Sequence, residues 1–329
     1  MPYVIGVDIG ATNLRVVISD EDGKFLASGS ERTVKEGTGL SVSAQIGRMI
    51  HSLLSKAKIS VDEIKSIGIG SIGPLDLKEG AIINTPNLPF PYIPLVSPLK
   101  EAFNKPVYLI NDCTAAVVGE KHFGAGRGLE NLVYVTISTG IGGGAYVDGH
   151  LLIGKDGNAA EVGHMVVDPQ GRLICGCGKR GHWEAYCSGT GIPKLVKMIL
   201  EERKATGYSE GMKSHLIAYD PDKIDAKTFF DTVRLRDSLA LEILDFIGRY
   251  NAIGMANLIN AYDPSLITLG GSVVLNNEEY ILPYIRKYVK DYAINRIPEI
   301  KVTPLKGDIV LYGAVAIALG LEEIKPPRP

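Results

Sequence analysis

The sequence predicts an α/β protein of two domains with a ligand cleft between them, and three observations carry that expectation. Short β-branched runs alternate with stretches of helical periodicity, the pattern of sheets covered by helices. A chain of 329 residues has room for about two domains. One hairpin device also occurs twice. Its first copy is Tyr3-Val4-Ile5-Gly6-Val7-Asp8-Ile9-Gly10-Ala11-Thr12-Asn13, followed by Leu14-Arg15-Val16-Val17-Ile18. The second is Leu132-Val133-Tyr134-Val135-Thr136-Ile137-Ser138-Thr139-Gly140, then Ile141-Gly142-Gly143-Gly144 and Ala145-Tyr146-Val147. In each, glycines and small hydroxyl or amide residues fill the bend between two β-runs. With no Cβ in the way, backbone N–H groups of such a bend can approach an anion. Two such hairpins, one per half of the chain, point to a nucleotide held between two related domains.

Taken in order, residues 3–33 read as a β-meander, with Asp22-Gly23 as its hairpin signal and Lys24-Phe25-Leu26-Ala27-Ser28 resuming the sheet. Val42, Ile46, Met49, Ile50, Leu53 and Leu54 follow helical spacing over residues 40–57. Residues 64–71 form a buried strand ending before Gly73-Pro74. The amide- and proline-rich run Asn84-Thr85-Pro86-Asn87-Leu88-Pro89 is an ordered or ligand-binding loop. Val107-Tyr108-Leu109-Ile110 is a strand running into Asn111-Asp112, after which Thr114 is expected to cap a helix through residue 123 or so. Residues 154–191 are loop-rich and residues 192–262 mainly helical. In the run 238–261, Leu241, Leu244, Ile247 and Tyr250 recur on one face, and Asp263-Pro264 stops it. Leu266-Ile267-Thr268-Leu269 is expected to be the last strand, before a third glycine turn at Gly270-Gly271-Ser272. Lys306-Gly307 leads into a final buried helix, and residues 325–329 are a frayed tail.

Composition narrows the function classes. A chain 45% hydrophobic and 22% charged belongs with ordinary globular proteins rather than disordered ones. A net charge of −2 gives no overall attraction to nucleic acid or anionic membrane. The most apolar stretch, residues 309–321, is too short for the ~20 residues of a membrane span. The N-terminus lacks the basic region, apolar core and cleavage site of a secretion signal. Four cysteines do not make a disulfide framework in a chain of this size, and three cluster at Cys175, Cys177 and Cys187. The expected location is the cytoplasm, with neither nucleic acid nor membrane as a partner.

Asp8 stands at a strand end beside Gly10, Thr12 and Asn13, where it could hold the water shell of a Mg²⁺ ion on ATP phosphates; the plainer reading is a strand terminus with a polar turn. The turns at Thr139-Gly140 and Gly270-Gly271 favour the phosphate reading, although none matches the Walker lysine motif or a dinucleotide fingerprint. Asp112, at the end of a buried strand, is rigidly placed to take a proton from an acceptor hydroxyl in phosphoryl transfer. The alternative for Asp112 is a helix cap. Glu161, His164 and Glu184, each by itself an ordinary surface or loop polar residue, together offer a mixture of hydrogen-bond acceptors and donors.

Six motifs, in order, resemble the ROK family of sugar kinases within the actin-like (ribonuclease H-like) ATPase superfamily. They are Asp8-Ile9-Gly10-Ala11-Thr12-Asn13, Gly73-Pro74, Asn111-Asp112, Ser138-Thr139-Gly140-Ile141-Gly142-Gly143-Gly144, Glu161-Val162-Gly163-His164 and Cys175-Gly176-Cys177-Gly178. The resemblance spans nearly the whole chain. It implies a two-domain actin-like fold with an interdomain active-site cleft, and ATP- and Mg²⁺-dependent phosphorylation of a hexose at its 6-hydroxyl. Asp112 is then the base. Gly73, Asn87, Asn111, Asp112, Glu161, His164 and Glu184 form the sugar cup, Thr139 and Gly140 join the Asp8 turn on the phosphates, and Gly270 and Gly271 lie by the adenosine. In the family a loop Cys-x-Cys-Gly-x-x-Gly-Cys-x-Glu and an upstream histidine bind a structural zinc. Here the last cysteine is His182, so the donor set would be His164, Cys175, Cys177 and His182; the alternative is a metal-free loop, with or without a bridge between thiols. The expected domains are residues 1–112 with 308–329, completed by the C-terminal helix, and residues 113–307. A homodimer and broad hexose acceptance are expected. The alternatives are a kinase for fructose, mannose or an N-acetylated amino sugar, or a sugar-sensing regulator, disfavoured because the first hairpin starts at Tyr3 with no helix-turn-helix domain ahead of it.

Overall fold

The computed structural model describes residues 3–205 and 214–324; the tail at 325–329 lies outside them. The chain forms two compact units. The first comprises Met1–Tyr134, Gly144–Ala160 and Thr303–Pro329, the second Val135–Gly143 and Glu161–Val302.

The first unit opens with the meander β1 (Tyr3–Ile9), β2 (Asn13–Ser19) and β3 (Phe25–Arg32), followed by α1 (Leu40–Ala57) and β4 (Ile64–Ser71). A small antiparallel sheet of β5 (Leu75–Asp76), β6 (Ala81–Ile83) and β7 (Tyr92–Pro94) comes next, too short to be announced by periodicity. Then follow α2 (Val96–Phe103), β8 (Val107–Asn111) and α3 (Asp112–His122). The main sheet has the order β3-β2-β1-β4-β8, antiparallel in the meander and parallel from β1 through β4 to β8. Its register sets Ile9, Ser71 and Asn111 side by side at the carboxyl ends of the three parallel strands, where ligands of open α/β sheets bind.

Alternation on β4 explains how the sheet is covered on both faces. Ile67 and Ile69 point into a core with Ile46, Met49 and Ile50 of α1, as the period of two in a strand requires. Gly68 and Gly70 face the other way, toward the last helix, α11 (Ile309–Leu319). A Cβ on Gly68 would lie 2.0 Å from the Ala314 carbonyl oxygen, and one on Gly313 would lie 1.7 Å from that of Ala115. The helix therefore seats backbone to backbone on β4 and α3, while Leu311, Val315 and Ala318 bury against Val4 and Val17. Gly320, in the left-handed region, ends α11.

Strands β9 (Leu132–Ile137) and β10 (Ile141–Val147) contribute residues to both units, and β11 (His150–Leu151) pairs with β10. The second unit continues through a long loop to α4 (Glu184–Cys187), α5 (Gly191–Ala205), α6 (His215–Ala218), α7 (Ala226–Arg234) and the 25-residue α8 (Ser238–Tyr262). Asp237 caps α8, accepting from the Leu239 and Ala240 N–H groups at 3.1 and 3.0 Å. Asp263, with φ of 44°, closes it. Then come β12 (Leu266–Gly270), α9 (Ser272–Leu275), α10 (Glu278–Tyr288) and β13 (Glu299–Val302). The second sheet has the order β11-β10-β9-β12-β13. Two expectations are corrected. Residues 266–269 are not the last strand: β13, four residues between Pro298 and Pro304, pairs with β12 in parallel. The cap of α3 is Asn111, not Thr114.

Candidate active site

The residues singled out from the sequence fall into two groups, one in each unit. In the first unit the parallel register places Asp8 on β1 and Asn111 on β8, two strands away, about 10 Å at ordinary strand spacing. Asp8 is buried, opposite Arg15 across the β1–β2 ladder. The Arg15 guanidinium donates from Nε to Asp8 Oδ2 at 2.9 Å, from Nη1 to Asp308 Oδ1 at 3.1 Å and from Nη2 to the Gly307 carbonyl at 2.6 Å. Burial pushes the Asp8 carboxyl above the usual range, and Arg15 opposes that rise. Arg15 was not anticipated. Its signal was its place on β2, seven residues past Asp8 and across a short turn. Gly10 closes that turn with an N–H bond to the Asn13 carbonyl at 2.9 Å, and Thr12 and Asn13 are exposed.

Asn111 takes extended backbone at the start of α3, and its Oδ1 accepts from the Cys113 and Thr114 N–H groups at 2.9 and 3.4 Å. Its amide nitrogen is left facing Gly73: a Cβ there would sit 3.7 Å from Nδ2. Asp112 is the first residue of α3, and the Cys113 N–H donates to its Oδ1 at 2.8 Å. A carboxylate on the first turn of a helix, held by a backbone amide, is fixed in orientation. Gly73, Asn111 and Asp112 are thus brought together. Asn87 stands exposed on the β6–β7 loop, its N–H on the Thr85 hydroxyl at 3.4 Å.

In the second unit, the turn holding Thr139 and Gly140 is pinned by three backbone bonds. These run from Ser138 N–H to the Gly140 carbonyl at 2.8 Å, Gly189 N–H to Ser138 at 2.6 Å and Thr190 N–H to Thr139 at 3.2 Å. Glu184 lies against the same turn. Its Oε2 accepts the Ile141 N–H at 2.9 Å, and its Oε1 accepts from Cys175 Sγ at 3.3 Å. A side chain on Gly140 would put its Cβ 2.5 Å from that carboxylate, which accounts for the glycine. The support under Glu184 is Cys175 and the turn. Gly271 has φ of 85°, and a Cβ there would lie 2.4 Å from the Ile137 carbonyl, so the third glycine turn abuts the strand leading to Thr139. Glu161 and His164 flank one 3₁₀ turn, with Oε2 and Nε2 3.8 Å apart.

His164, Cys175, Cys177 and His182 offer four donor atoms all within 4.8 Å of one another. His164 Nδ1 lies 3.7 Å from Cys175 Sγ, and His182 Nδ1 lies 3.3 Å from Cys177 Sγ. Tetrahedral zinc with thiolate and imidazole ligands has donor–donor edges of about 3.4–3.8 Å, from bond lengths near 2.3 and 2.05 Å. Those two edges match such an ion, and the donor set is the right chemistry for it. Burial, with His164 adding to it, holds His182 below its usual range, so it presents the neutral ligand form; burial also pushes the Cys175 thiol up to about 12. Beneath the loop, the buried Asp168 accepts from the Tyr186 hydroxyl at 2.6 Å and from Arg172 Nε at 3.2 Å, and the fully buried Trp183 donates to Asn251 at 2.8 Å. No periodicity marks Asp168 in the chain, since its partners come from α4 and the loop itself.

This architecture is that of the actin-like ATPases, with a glycine-containing turn between strands in each unit. The chain belongs to the ROK family, whose profile matches residues 4–320. It is 37% identical to a glucokinase from Pyrobaculum calidifontis, over 97% of this chain and 95% of that one. Among solved structures it resembles a ROK hexokinase from Thermus thermophilus, with a TM-score of 0.77 and 31% identity over 95% and 96% of the two chains. It also resembles a ROK family glucokinase from Streptomyces griseus in complex with glucose and AMPPNP, with a TM-score of 0.71 and 31% identity over 96% and 98%.

Proposed function

We propose that the protein is an ATP-dependent glucokinase that transfers the γ-phosphoryl group to the 6-hydroxyl of glucose and of related hexoses. The observation that carries this reading is the pairing of Asp8 with Asn111-Asp112 at the carboxyl ends of parallel strands in one sheet. On this reading the first serves the metal–phosphate and the second a hydroxyl to be deprotonated. The likeness to glucokinases at 31% identity and above supports it.

In this reading the sugar's hydroxyls bond to Gly73, Asn87, Asn111, Glu161, His164 and Glu184, with Asp112 facing the 6-hydroxyl. As the oxygen attacks the γ-phosphorus, Asp112 takes its proton, the bond to the β-phosphate oxygen breaks and ADP leaves. Backbone N–H groups around Gly10, Thr12, Thr139 and Gly140 offset the phosphate charge, and the Gly270-Gly271 turn lies by the adenosine. Bound Mg²⁺, held through water by Asp8, would neutralise the transferring phosphates. A structural zinc on His164, Cys175, Cys177 and His182 would fix the loop that precedes Glu184. Action in the cytoplasm as a homodimer completes the proposal. Among the described residues no helix is long and apolar enough to cross a membrane.

The test is a coupled assay of ADP release with Mg²⁺–ATP and glucose. Glucose-dependent ADP formation with glucose 6-phosphate as product is expected. ADP release that glucose does not stimulate would overturn the reading.

A further inference from the structure

Two buried polar residues behind the first phosphate turn have no part in the reaction described above. Thr33, one residue past the end of β3, is 4% exposed, and Gln45, on the core face of α1, is 8% exposed. An apolar side chain at either place would satisfy a helix–sheet core better, because a buried hydroxyl or amide costs free energy unless it is bonded. Both are fully used. The Thr33 N–H donates to the Thr12 carbonyl at 3.0 Å, and the Thr33 hydroxyl donates to the Gly10 carbonyl at 2.7 Å. Gln45 grips the chain on either side of Thr33. Its Oε1 accepts the Val34 N–H at 3.0 Å, and its Nε2 donates to the Arg32 carbonyl at 2.8 Å. Its Nε2 also donates to Glu31 at 3.2 Å, and Glu31 in turn accepts from Arg48 of α1 at 3.0 and 2.6 Å.

The consequence follows from the planarity of the peptide unit. In a trans peptide the carbonyl of one residue and the N–H of the next point in opposite directions. Thr33 draws the Gly10 and Thr12 carbonyls toward β3, so the Ala11 and Asn13 N–H groups are turned to the other side of the turn. The Gly10 N–H is already committed to the Asn13 carbonyl. Without the hydroxyl of Thr33, the Gly10–Ala11 peptide has no such hold and can rotate toward water, taking the Ala11 N–H with it. Gln45 matters because it fixes the two peptides that carry Thr33.

We propose that Thr33, held by Gln45, is a positioning residue for phosphoryl-donor binding: it aims the Ala11 and Asn13 N–H groups at the nucleotide phosphates. This rests on the reading of the β1–β2 turn as a phosphate site. Thr33→Val keeps shape and backbone N–H but removes the hydroxyl, and Thr33→Ser restores it. Thr33→Val should lower kcat/KM for ATP about tenfold, chiefly through KM, with KM for glucose at saturating ATP within about twofold of the parent. Thr33→Ser should stay within about threefold for both substrates, and Gln45→Met should raise KM for ATP in the same direction. Unchanged ATP constants in Thr33→Val, equal losses toward ATP and glucose, or a Ser variant as impaired as the Val variant would overturn the proposal. If Thr33→Val does not fold, Gln45→Met against Thr33→Ser decides by the same ATP-to-glucose comparison. Amide resonances of Ala11 and Asn13 in the ¹⁵N-labelled parent, followed on adding AMPPNP, separate the two levels. Resonances that stay still remove the phosphate-turn reading itself. Resonances that move, with AMPPNP binding equally well to Thr33→Val, remove only the role of Thr33.

Discussion

Asp8 near the end of β1 and Asp112 just past the end of β8 lie two strands apart in one parallel set, yet their surroundings differ, and the difference predicts separate phenotypes. Asp112 is exposed enough to meet a hydroxyl and is oriented by one backbone N–H. Asp112→Asn keeps that bond and removes the proton acceptor. It should cut kcat by about 10²–10⁴ while the glucose Kd moves less than about threefold; single-turnover rates with calorimetric binding check both. A folded Asn variant with parental kcat would exclude Asp112 as the base. Asp8 is buried and shares Arg15 with Asp308 and Gly307. Asp8→Asn should raise the Mg²⁺ concentration for half-maximal rate by about tenfold or more, seen in a Mg²⁺ titration at fixed ATP; an unshifted curve would deny Asp8 the metal. At this scale the sequence was legible where a residue ended a strand or filled a turn, as Asp8, Gly10 and Asn111 do. It was not legible for Arg15, because a side chain reaching across a ladder is chosen by register, and register is a property of two strands.

At the scale of elements, the Cys/His loop and the network beneath it make two predictions. Zinc should bind one ion per chain, and Co²⁺ substitution should give the tetrahedral absorption of a two-thiolate, two-imidazole site. His182→Ala should lower the metal content measured by elemental analysis, whereas full retention would remove His182 from the donor set. Asp168 tests the network through pH. Burial raises its carboxyl, but the Tyr186 hydroxyl, Arg172 and two backbone N–H groups outweigh burial and hold it below the usual range. A carboxyl lower in the folded than the unfolded state stabilises the fold fully above its unfolded value near 3.9, and loses that contribution as pH falls through the folded value. Asp168→Asn should therefore cost about 1–3 kcal/mol at pH 7, and in urea melts the gap from the parent should narrow below about pH 4. A gap independent of pH would show that the charge contributes nothing. Elements were legible in proportion to their length. The 25 residues of α8 and its stop at Asp263 could be read, whereas four-residue β13 and the strands β5–β7 are shorter than any period needs to declare itself. The cap of α3 was misplaced by three residues because Asn, Asp and Thr at 111, 112 and 114 all favour that position. Only the extended backbone of Asn111 separates them.

For the molecule as a whole, the sugar specificity follows from the kind of groups assigned to the sugar. Asn87, Asn111, Glu161, His164 and Glu184 are polar, and Asn87 and Glu161 are exposed, so water can replace a missing or inverted hydroxyl. Glucose, mannose, glucosamine and N-acetylglucosamine should all be phosphorylated, with kcat/KM values within about a thousandfold, ~4 kcal/mol, of glucose. A stricter preference over all three would mean that the ring is enclosed by dry, fully paired groups. The close seating of α11 on Gly68 and Ala115 carries a different consequence, one for synthesis. The first sheet begins at Tyr3, but the helix that covers one of its faces leaves the ribosome only after residues 161–302 have been made. Until then Val4, Val17 and the glycines of β4 have no lid, and the nascent first unit holds an open apolar face through translation of everything between. Residues 161–302, by contrast, are nearly all of the second unit in one continuous run, and domains made of contiguous chain can fold as they emerge. The half that is translated first is therefore the half that is finished last, and any nascent chain stalled before residue 309 exposes the surface on which holdase chaperones act.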